Sequence, residues 1–388
     1  MSKTIKETLL GTLVHGKEVL SDIEVARKIG SDKIYVGNEA DDIISRLHEK
    51  SLSLKISEIR DATEGAKTLR FVSKSGYLPP FEAGQYINLF TEIDGVRTSR
   101  PYSISSSPRQ RAYYEITVAR IGNGFVSDFF LDKARVGDEF EANGPAGVFH
   151  FNPVFHKKCS VFLAGGSGIT PFMSMTREVL EAGLEREIYL LYGCRNADAA
   201  IFNDELLSLQ KRHENFHYSL VLSEPTGDWT GETGFIGAEL IKKLVPNTNA
   251  CTFYICGPQV MNEFCQKQLE AMEIPQKRIR REMFGSRQDI QNEPGWPKEL
   301  TGSESFKLTV NGKTVPATSG ESILSALERA GIRVNVCCRS GECSFCRVKL
   351  VSGKVFLAQG VLARAADEKF GYIHSCKAYP ISDVEILL

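Results

Sequence analysis

The chain has 388 residues, in which 47 Lys and Arg balance 48 Asp and Glu. At about 100–200 residues per domain, this length predicts two to four domains. The near-zero net charge argues against a general nucleic-acid binder, and a hydrophobic fraction of 42% excludes wholesale disorder. No apolar run approaches the roughly 20 residues of a membrane-spanning helix, and the N-terminus shows no secretory signal, so we expect a cytoplasmic protein.

Residues 1–50 match no recognisable motif. Their amphipathic stretches, IKETLLGTLVHG and ADDIISRLHEK, alternate with charge and predict one or two helices and a strand. We expect a solvated N-terminal extension or an arm that docks a partner.

Residues 51–154 have the pattern of an antiparallel β-barrel. Turns with Gly, Pro and Asp separate the alternating runs LSLKISEIR, KTLRFVSK, QYINLFTEI, YYEITVAR and DEFEANGP. Within this region Arg100-Pro101-Tyr102-Ser103 offers a guanidinium fork for a phosphate, an aromatic ring and a hydroxyl. Alone, these four residues could equally form an ordinary loop.

A second segment of the barrel is GNGFVSDFF, which places Gly124 and Ser127 at a turn into a predicted helix. Free N–H groups gather at such a turn and suit a pyrophosphate. RPYS, GNGFVSDFF and a final GPAGVF, in this order, resemble the ferredoxin–NAD(P)H reductase superfamily, and more its FAD-binding than its FMN-binding members. The resemblance implies Arg100 and Ser127 at the FAD phosphates and Ser103 at flavin N5. The other implied flavin contacts are Pro101, Tyr102, Val118, Gly124 and Val126.

Residues 155–285 alternate strands with helices and predict an open parallel α/β sheet that binds NAD(P). The buried runs are CSVFLAGG, EIYLLYG, HYSLVLS and TFYICGP. The turn LAGGSGITP joins the first strand to its helix, a geometry that holds a dinucleotide phosphate, although packing alone could explain the glycines. The candidate contacts are Gly165, Gly166, Gly168, Thr170 and Pro171, and Thr170 is expected to help place the nicotinamide.

Cys256-Gly257-Pro258 ends a later strand, and the resemblance implies that all three bind the nucleotide. It places Cys256 near nicotinamide C4 as a positioning residue; a small buried hydrophobe is the alternative. Glu282 in REMFG resembles the family's acidic-x-aromatic segment near the flavin, with a solvated glutamate as the alternative. The predicted catalytic residues are thus Ser103, Cys256 and Glu282.

The choice between NADH and NADPH depends on Arg195, which follows the strand IYLLYG. Its charge could pair with a 2′-phosphate or be a solvated loop charge, and no acidic residue is close enough in sequence to bind the ribose hydroxyls. The three-module architecture of the family favours NADH slightly.

Residues 286–304 are polar and interrupted by proline, so they predict a linker. Residues 305–388 carry an Asn-Gly hairpin signal, FKLTVNGKTVPAT, and a short amphipathic helix, SILSALERAG, that Gly331 ends. Together with the cysteine motif CRSGECSFC, these elements resemble the β-grasp domain of plant-type ferredoxins. The resemblances imply that the whole chain combines a flavin-binding β-barrel, a parallel α/β nucleotide domain and a plant-type ferredoxin domain.

Ten cysteines in a reducing compartment indicate metal or redox chemistry before disulfides. From Cys338 the spacing is C-x4-C-x2-C with a distant fourth cysteine, the plant-type [2Fe–2S] pattern, and CRSGECSFC resembles plant-type ferredoxins. A structural zinc site would favour two matched pairs. The predicted ligands are Cys338, Cys343, Cys346 and Cys376. Cys337 is interpreted as a bystander, with the alternative that the ligand register uses it.

The resemblance implies an NAD(P)H-dependent flavin and iron–sulfur oxidoreductase. NAD(P)H gives up two electrons together as hydride, FAD accepts them, and the cluster passes them singly to a protein acceptor. Implied acceptors are an oxygenase, a hybrid-cluster enzyme or a corrinoid enzyme. Three alternatives stay open: a flavin reductase or oxidase with a vestigial cluster, the electron-input subunit of a fixed and possibly anaerobic complex, and an electron carrier whose reductase half is not catalytic.

Overall fold

The computed structural model describes residues 15–29, 43, 51–122, 124–284 and 289–388. The chain divides into two compact units, Met1–Lys50 and Ser51–Leu388. Helix α1 (Gly16–Ile29) belongs to the first unit. The two amphipathic stretches predicted there fall almost wholly outside the described residues. None of the helices in the described ranges is both long and apolar enough to cross a bilayer.

The second unit begins with an antiparallel β-barrel, as the sequence predicts. Its strands are β1 (Leu52–Thr63), β2 (Ala66–Ser73), β3 (Tyr86–Ile93), β4 (Val96–Ser103), β5 (Tyr114–Ala119) and β6 (Glu139–Ala146). In β1 the inward-facing Leu52, Leu54 and Ile56 are buried and the residues between them are exposed. The strand order is β4-β3-β6-β1-β2-β5, and a bridge between Ile104 and Ile116 closes the barrel. A short helix, α2 (Phe125–Asp128), precedes β6.

Strand β4 is the one barrel strand that the alternation pattern misses. Its sequence, VRTSRPYS, lacks apolar residues at every second position, because its buried side chains include Thr98 and Ser99. The segment RPYS therefore lies on a strand and continues directly into the bridge that closes the barrel.

The middle of the unit is a parallel sheet in the order β10-β9-β8-β7-β11-β12, which confirms the predicted α/β class. Two clusters of buried apolar residues lie against it, as a parallel sheet covered by helices requires. Its elements are β7 (Cys159–Gly165), α3 (Ile169–Glu181), β8 (Glu187–Cys194), α4 (Asn203–Arg212), β9 (Phe216–Leu222), β10 (Glu232–Thr233), α5 (Ala238–Leu244), β11 (Cys251–Cys256), α6 (Gln259–Ala271) and β12 (Ile279–Glu282).

A disulfide joins Cys159 and Cys251, the first residues of β7 and β11. The two are register partners in neighbouring parallel strands. The sequence assigns neither a task, because nothing in the chain marks two cysteines 92 residues apart as a pair. The bond lies at the edge where these strands begin, opposite the edge that carries the glycine-rich turn.

The C-terminal part is a five-stranded mixed sheet in the order β14-β13-β19-β15-β17, with β16 and β18 as a separate pair. Its elements are β13 (Ser305–Val310), β14 (Lys313–Thr318), α7 (Ile323–Arg329), β15 (Arg347–Ser352), β16 (Val355–Leu357), α8 (Ala365–Lys369), β17 (Tyr372–His374), β18 (Ala378–Pro380) and β19 (Val384–Leu387). Asn311 and Gly312 both have positive φ between β13 and β14, which confirms the predicted hairpin. Gly331, at φ +70°, follows the end of α7 as predicted.

The described part of the predicted linker, residues 289–304, packs on this C-terminal module. Trp296 is 8% exposed and lies in an apolar cluster with Ile290 and Tyr379. Its indole N–H donates to the carbonyl oxygen of Leu300 at 2.8 Å. This stretch therefore adds a small core of its own to the C-terminal module.

Candidate functional site

The candidate flavin seat is built on β4. Arg100 donates from Nη1 to Thr98 Oγ1 at 2.9 Å and to the carbonyl oxygen of Ser99 at 2.7 Å, which fixes the orientation of its guanidinium. Burial, together with the positive charge of Arg339, lowers the pKa of Arg100 to about 10. A phosphate would find in Arg100 a positively charged group that is already oriented by the strand.

The other predicted flavin contacts divide into two groups. The Tyr102 ring meets Phe130 edge-to-face at 5.8 Å and Pro101 is buried beside it on β4, whereas Val118 and Val126 lie in the barrel core. All four contacts with flavin stay predictions.

Ser127 gives the clearest sign of a ligand in the barrel. Its Oγ is buried without a hydrogen-bond partner among the described residues. A Cβ on Gly124 would lie 2.0 Å from this oxygen, so only glycine leaves the hydroxyl its place. Because buried hydroxyls are nearly always hydrogen-bonded, the residues present fit a phosphate-bearing flavin.

The glycine-rich turn after β7 packs against the turn after β11. A Cβ on Gly168 would lie 2.2 Å from the carbonyl oxygen of Cys256, and a Cβ on Gly165 would lie 2.2 Å from Met261 Sδ. These two glycines, with Gly257, let the turns approach closely. Gly166 has φ +51°, and a Cβ there would meet nothing within 4 Å.

At the start of α3, Thr170 Oγ1 donates to the carbonyl oxygen of Ser167 at 2.8 Å, and Pro171 is buried in the same turn. Pro258 precedes the first residue of α6, and Gly257 stands before it. The predicted nucleotide contacts thus gather at the edge where β7 and β11 end, which is where open α/β sheets bind ligands.

The three predicted catalytic residues come together from two modules. Cys256 and Glu282 are register partners at the ends of β11 and β12, and Ser103 Oγ donates to Glu282 Oε2 at 3.5 Å. All three are at most 5% exposed. Burial raises the pKa of the Cys256 thiol, and the nearby Glu282 raises it further. A neutral thiol fits a positioning role and not that of a nucleophile.

Glu282 itself lies where the third module also reaches. Burial raises the pKa of this carboxyl well above its usual range, and the negative charge of Glu342 adds to the effect. Burial likewise raises the pKa of Glu342 to about 7. Glu342 stands between two predicted cluster ligands, Cys338 and Cys343, so the charge of the cluster loop acts on Glu282. The sequence gives no signal for this interaction.

Arg195 has a partner that the sequence does not reveal. Its Nε lies 3.6 Å from Glu224 Oε1, and the backbone N–H of Glu224 donates to the Arg195 carbonyl oxygen. The end of β9 thus brings an acidic side chain, Glu224, beside the end of β8, and the choice between NADH and NADPH stays a prediction. A carboxylate here can accept from ribose hydroxyls and repels a 2′-phosphate.

The four predicted cluster ligands form two pairs. Cys338 Sγ accepts the backbone N–H groups of Ser340 and Cys343, both at 3.4 Å. The hydrogen bond between Cys346 and Cys376 lowers the pKa of the Cys346 thiol and raises that of Cys376. Within the described ranges, no three side chains of His, Cys, Asp or Glu are arranged to hold a single metal ion. Two thiol pairs fit a cluster of two irons, each bound by two cysteines.

A hydrogen bond from His374 fixes the loop between the predicted ligands, and Cys337 has a contact with the barrel. His374 Nδ1 lies 2.8 Å from the carbonyl oxygen of Gly341. Cys337 Sγ lies 3.7 Å from Tyr86 Oη on β3, and the Tyr86 ring meets Phe284 edge-to-face at 5.7 Å. Cys337 also interacts with the predicted ligand Cys343, since the hydrogen bond between the two thiols lowers the pKa of Cys337. Its role as a bystander therefore stays a prediction.

Three family models match successive segments of the chain. They are the oxidoreductase FAD-binding domain on residues 54–151, the oxidoreductase NAD-binding domain on residues 162–267 and the 2Fe-2S iron-sulfur cluster binding domain on residues 308–380.

Individual proteins resemble half of the chain or more. The glycine betaine monooxygenase reductase subunit of Pseudomonas aeruginosa is 27% identical, over 84% of this chain and 92% of that protein. NADH-cytochrome b5 reductase 1 of Dictyostelium discoideum is 31% identical, over 50% of this chain and 68% of that protein. The solved structure of phthalate dioxygenase reductase is 28% identical with a TM-score of 0.65, over 87% of this chain and 97% of that one.

Proposed function

Because the chain belongs to the ferredoxin–NAD(P)H reductase superfamily and ends in a plant-type [2Fe–2S] ferredoxin domain, we propose that it is the reductase component of an oxygenase system. It is an NAD(P)H-dependent flavin and iron–sulfur oxidoreductase, and it passes electrons from hydride through FAD to a [2Fe–2S] cluster and on to a protein acceptor. Bound FAD supplies the conversion of a two-electron donor into single electrons, and the protein supplies binding and orientation.

The observation that carries this function is the meeting of three modules around Glu282. Ser103 reaches it from the barrel, Cys256 stands beside it in the nucleotide module, and the charge of Glu342 acts on it from the ferredoxin module. In our proposal Ser103 orients flavin N5 and Cys256 orients the nicotinamide ring. Glu282, held as a neutral acid by burial, can donate a proton at the flavin edge.

Ligand binding is assigned by the same geometry. Arg100 and Ser127 would hold the FAD phosphates, the turn around Gly166 would hold the nucleotide phosphates, and Thr170 would help Cys256 to place the nicotinamide. The two cysteine pairs would hold the cluster. Glu224, beside Arg195, supports NADH as the donor, because its carboxylate disfavours a 2′-phosphate. A protein that uses NADH must lie where the cell supplies this nucleotide, which supports a cytoplasmic location.

An oxygenase is the acceptor that the relatives support. The glycine betaine protein and the phthalate protein are both named as reductases of oxygenases, and the chain covers more than nine-tenths of each. Residues 1–50 lie outside the matched family segments and are a candidate docking arm for that acceptor.

The test is an anaerobic titration of the purified protein with NADH and with NADPH, followed by absorption. We expect flavin and cluster bleaching with NADH at much lower concentration than with NADPH. The reduced protein is then mixed with an oxidised Rieske oxygenase and, as the alternative acceptor, with a hybrid-cluster enzyme. A colourless preparation that does not bleach contradicts the oxidoreductase function, and reduction of the hybrid-cluster enzyme alone contradicts the oxygenase assignment.

A further inference from the structure

The flavin barrel binds residues Val336–Arg339, which include the first predicted cluster ligand and are here called the docking segment. Asn88 on β3 donates from Nδ2 to the carbonyl oxygen of Val336 at 3.1 Å, in a fully buried hydrogen bond. Arg339 donates from Nη2 to Thr98 Oγ1 at 3.2 Å and to Ser99 Oγ at 3.3 Å, both on β4. The segment is thus bound to two adjacent barrel strands, one of which carries the flavin motif.

Arg339 is the centre of a buried charged network. It is 6% exposed, has φ +55°, and forms an ion pair with Glu328 of α7. Thr98 Oγ1 donates to Glu328 Oε2 at 3.0 Å and accepts from Arg100, so a single hydroxyl links the ferredoxin module to the predicted phosphate-binding arginine. A displaced Arg339 would leave two modules with broken hydrogen bonds.

Such a network favours one geometry over others more than it adds stability. A buried ion pair roughly balances its desolvation cost, but an imperfect arrangement leaves a charge unpaired. All three acceptors, one carboxylate and two hydroxyls, surround the same guanidinium nitrogen of Arg339, Nη2. The rigid planar guanidinium holds this nitrogen in a fixed position, which the flexible stem of a lysine does not. The module can therefore dock in this position far better than in a shifted one.

We propose that Asn88 and Arg339 are positioning residues, which lock the docking segment onto β3 and β4 and so fix the cluster relative to the flavin seat. This inference rests on the proposed function, since it concerns the transfer between the two cofactors. Neither residue touches the predicted nucleotide site, and the hydride step does not depend on them.

The test compares two kinds of variant of the full-length protein. Asn88→Ala with Ser99→Ala changes the barrel side alone and leaves every ferredoxin residue intact. Arg339→Met changes the ferredoxin side of the junction, and it keeps a long side chain at this position without the positive charge. Thr117→Val is the matched control, because it removes a buried hydrogen bond of the same barrel, to Thr68 Oγ1 at 2.9 Å, away from the docking segment.

The first readout is amide hydrogen exchange of residues 336–340, which needs no turnover. We expect exchange to become at least about tenfold faster in both docking variants, because each loses one or two buried or charge-assisted hydrogen bonds. Exchange in Thr117→Val should stay unchanged. Arg339→Lys should fall between, because an ammonium keeps the charge opposite Glu328 but is not held rigidly at the hydroxyls of Thr98 and Ser99.

The second readout is anaerobic stopped-flow absorption. Flavin reduction by NADH should stay within about twofold of the unmodified protein, while electron transfer from flavin to cluster slows about tenfold at unchanged cluster content. The inference is overturned if the variant Asn88→Ala with Ser99→Ala has the same exchange and electron-transfer rates as Thr117→Val. If that variant does not fold, unaltered exchange in Arg339→Lys overturns the inference instead. An unmodified protein whose flavin is not reduced by NADH contradicts the proposed function instead, and the exchange readout still decides the docking.

Discussion

The flavin barrel joins its two neighbouring modules by different means. Towards the nucleotide module it shares a hydrophobic core, in which Phe149 lies 5.7 Å from both Phe172 and Tyr254 between ring centres. Ser174 Oγ also donates to the carbonyl oxygen of Ser106 at 2.7 Å, fully buried. One apolar core therefore extends from the barrel into the nucleotide module.

Towards the ferredoxin module the contacts are mostly polar. Asn88, Arg339 and Thr98 each donate a hydrogen bond across this junction. Phe90 adds a half-buried ring to a small cluster with Leu324 and Val336. The difference matches what each junction must transmit. Hydride transfer requires reacting atoms in contact and aligned, which a shared core enforces, while single electrons pass between cofactors that do not touch.

The largest effect should come from removing one cluster ligand. Cys343→Ser should reduce cluster-dependent reduction of a one-electron acceptor by roughly a hundredfold or more, because three thiolates do not hold both irons. Reduction of flavin by NADH should continue, since the nucleotide junction is untouched.

Cys337→Ser is the matched control for this change and should retain the cluster, measured by its absorption and by electron paramagnetic resonance after reduction. A cluster lost in Cys337→Ser and kept in Cys343→Ser would show that the ligand register is displaced.

The shared core can be broken at Phe149. Phe149→Ala should lower the free energy of unfolding by about 3–5 kcal/mol, as expected when a buried aromatic ring leaves a cavity. Phe155→Ala removes a ring that is 77% exposed and should change stability by less than about 0.5 kcal/mol. Urea unfolding of both variants measures the difference, and equal costs would mean that no core is shared.

The same substitution at the ferredoxin junction should cost less. Phe90→Ala removes a half-buried ring and should lower the free energy of unfolding by about 1–2 kcal/mol in urea. Phe235→Ala, at a ring 76% exposed, is the control. If Phe90→Ala costs as much as Phe149→Ala, then this junction is also a hydrophobic core and the contrast between the two disappears.

Glu282, where the modules meet, should give the smallest effect, a dependence of stability on pH. Burial and the charge of Glu342 raise its folded-state pKa, while the unfolded chain releases the proton near pH 4.3. Its stabilisation is thus fully present below about pH 4.3 and is lost as the pH rises towards the raised folded value. Unfolding in urea at about pH 5 and about pH 8 should show a smaller fall in stability for Glu282→Gln than for the unmodified protein.

Glu239→Gln, at a side chain 94% exposed, should keep the full pH dependence. A fall in Glu282→Gln as large as in the unmodified protein would assign the dependence to another group.

Local patterns predicted the fold where each element carries its own signal. Apolar alternation located five barrel strands, and the Asn311-Gly312 turn and Gly331 marked the ferredoxin hairpin and helix end. β4 escaped because its buried Thr98 and Ser99 are polar and meet Arg339 of another module. A strand whose buried face is completed by a distant segment has no alternation to recognise.

The same division applies to the candidate site. Contiguous motifs such as RPYS and CRSGECSFC name residues that lie together in the chain, so sequence predicted them. Glu224 beside Arg195 and Arg339 beside Thr98 depend on the order of strands and on module docking, across as many as 241 positions. Such pairs follow from tertiary structure, and no local pattern encodes them.

The packing of Trp296 on the C-terminal module makes the molecule its own fluorescent probe. The chain has two tryptophans, Trp229 in the nucleotide module and Trp296 among the aromatic rings of Phe356 and Tyr379, and the barrel has none. Trp229→Phe would leave a single emitter that reports on the ferredoxin module, and Trp296→Phe would leave one that reports on its neighbour. The unfolding of each module can therefore be followed separately in unlabelled protein, with one tryptophan in each variant.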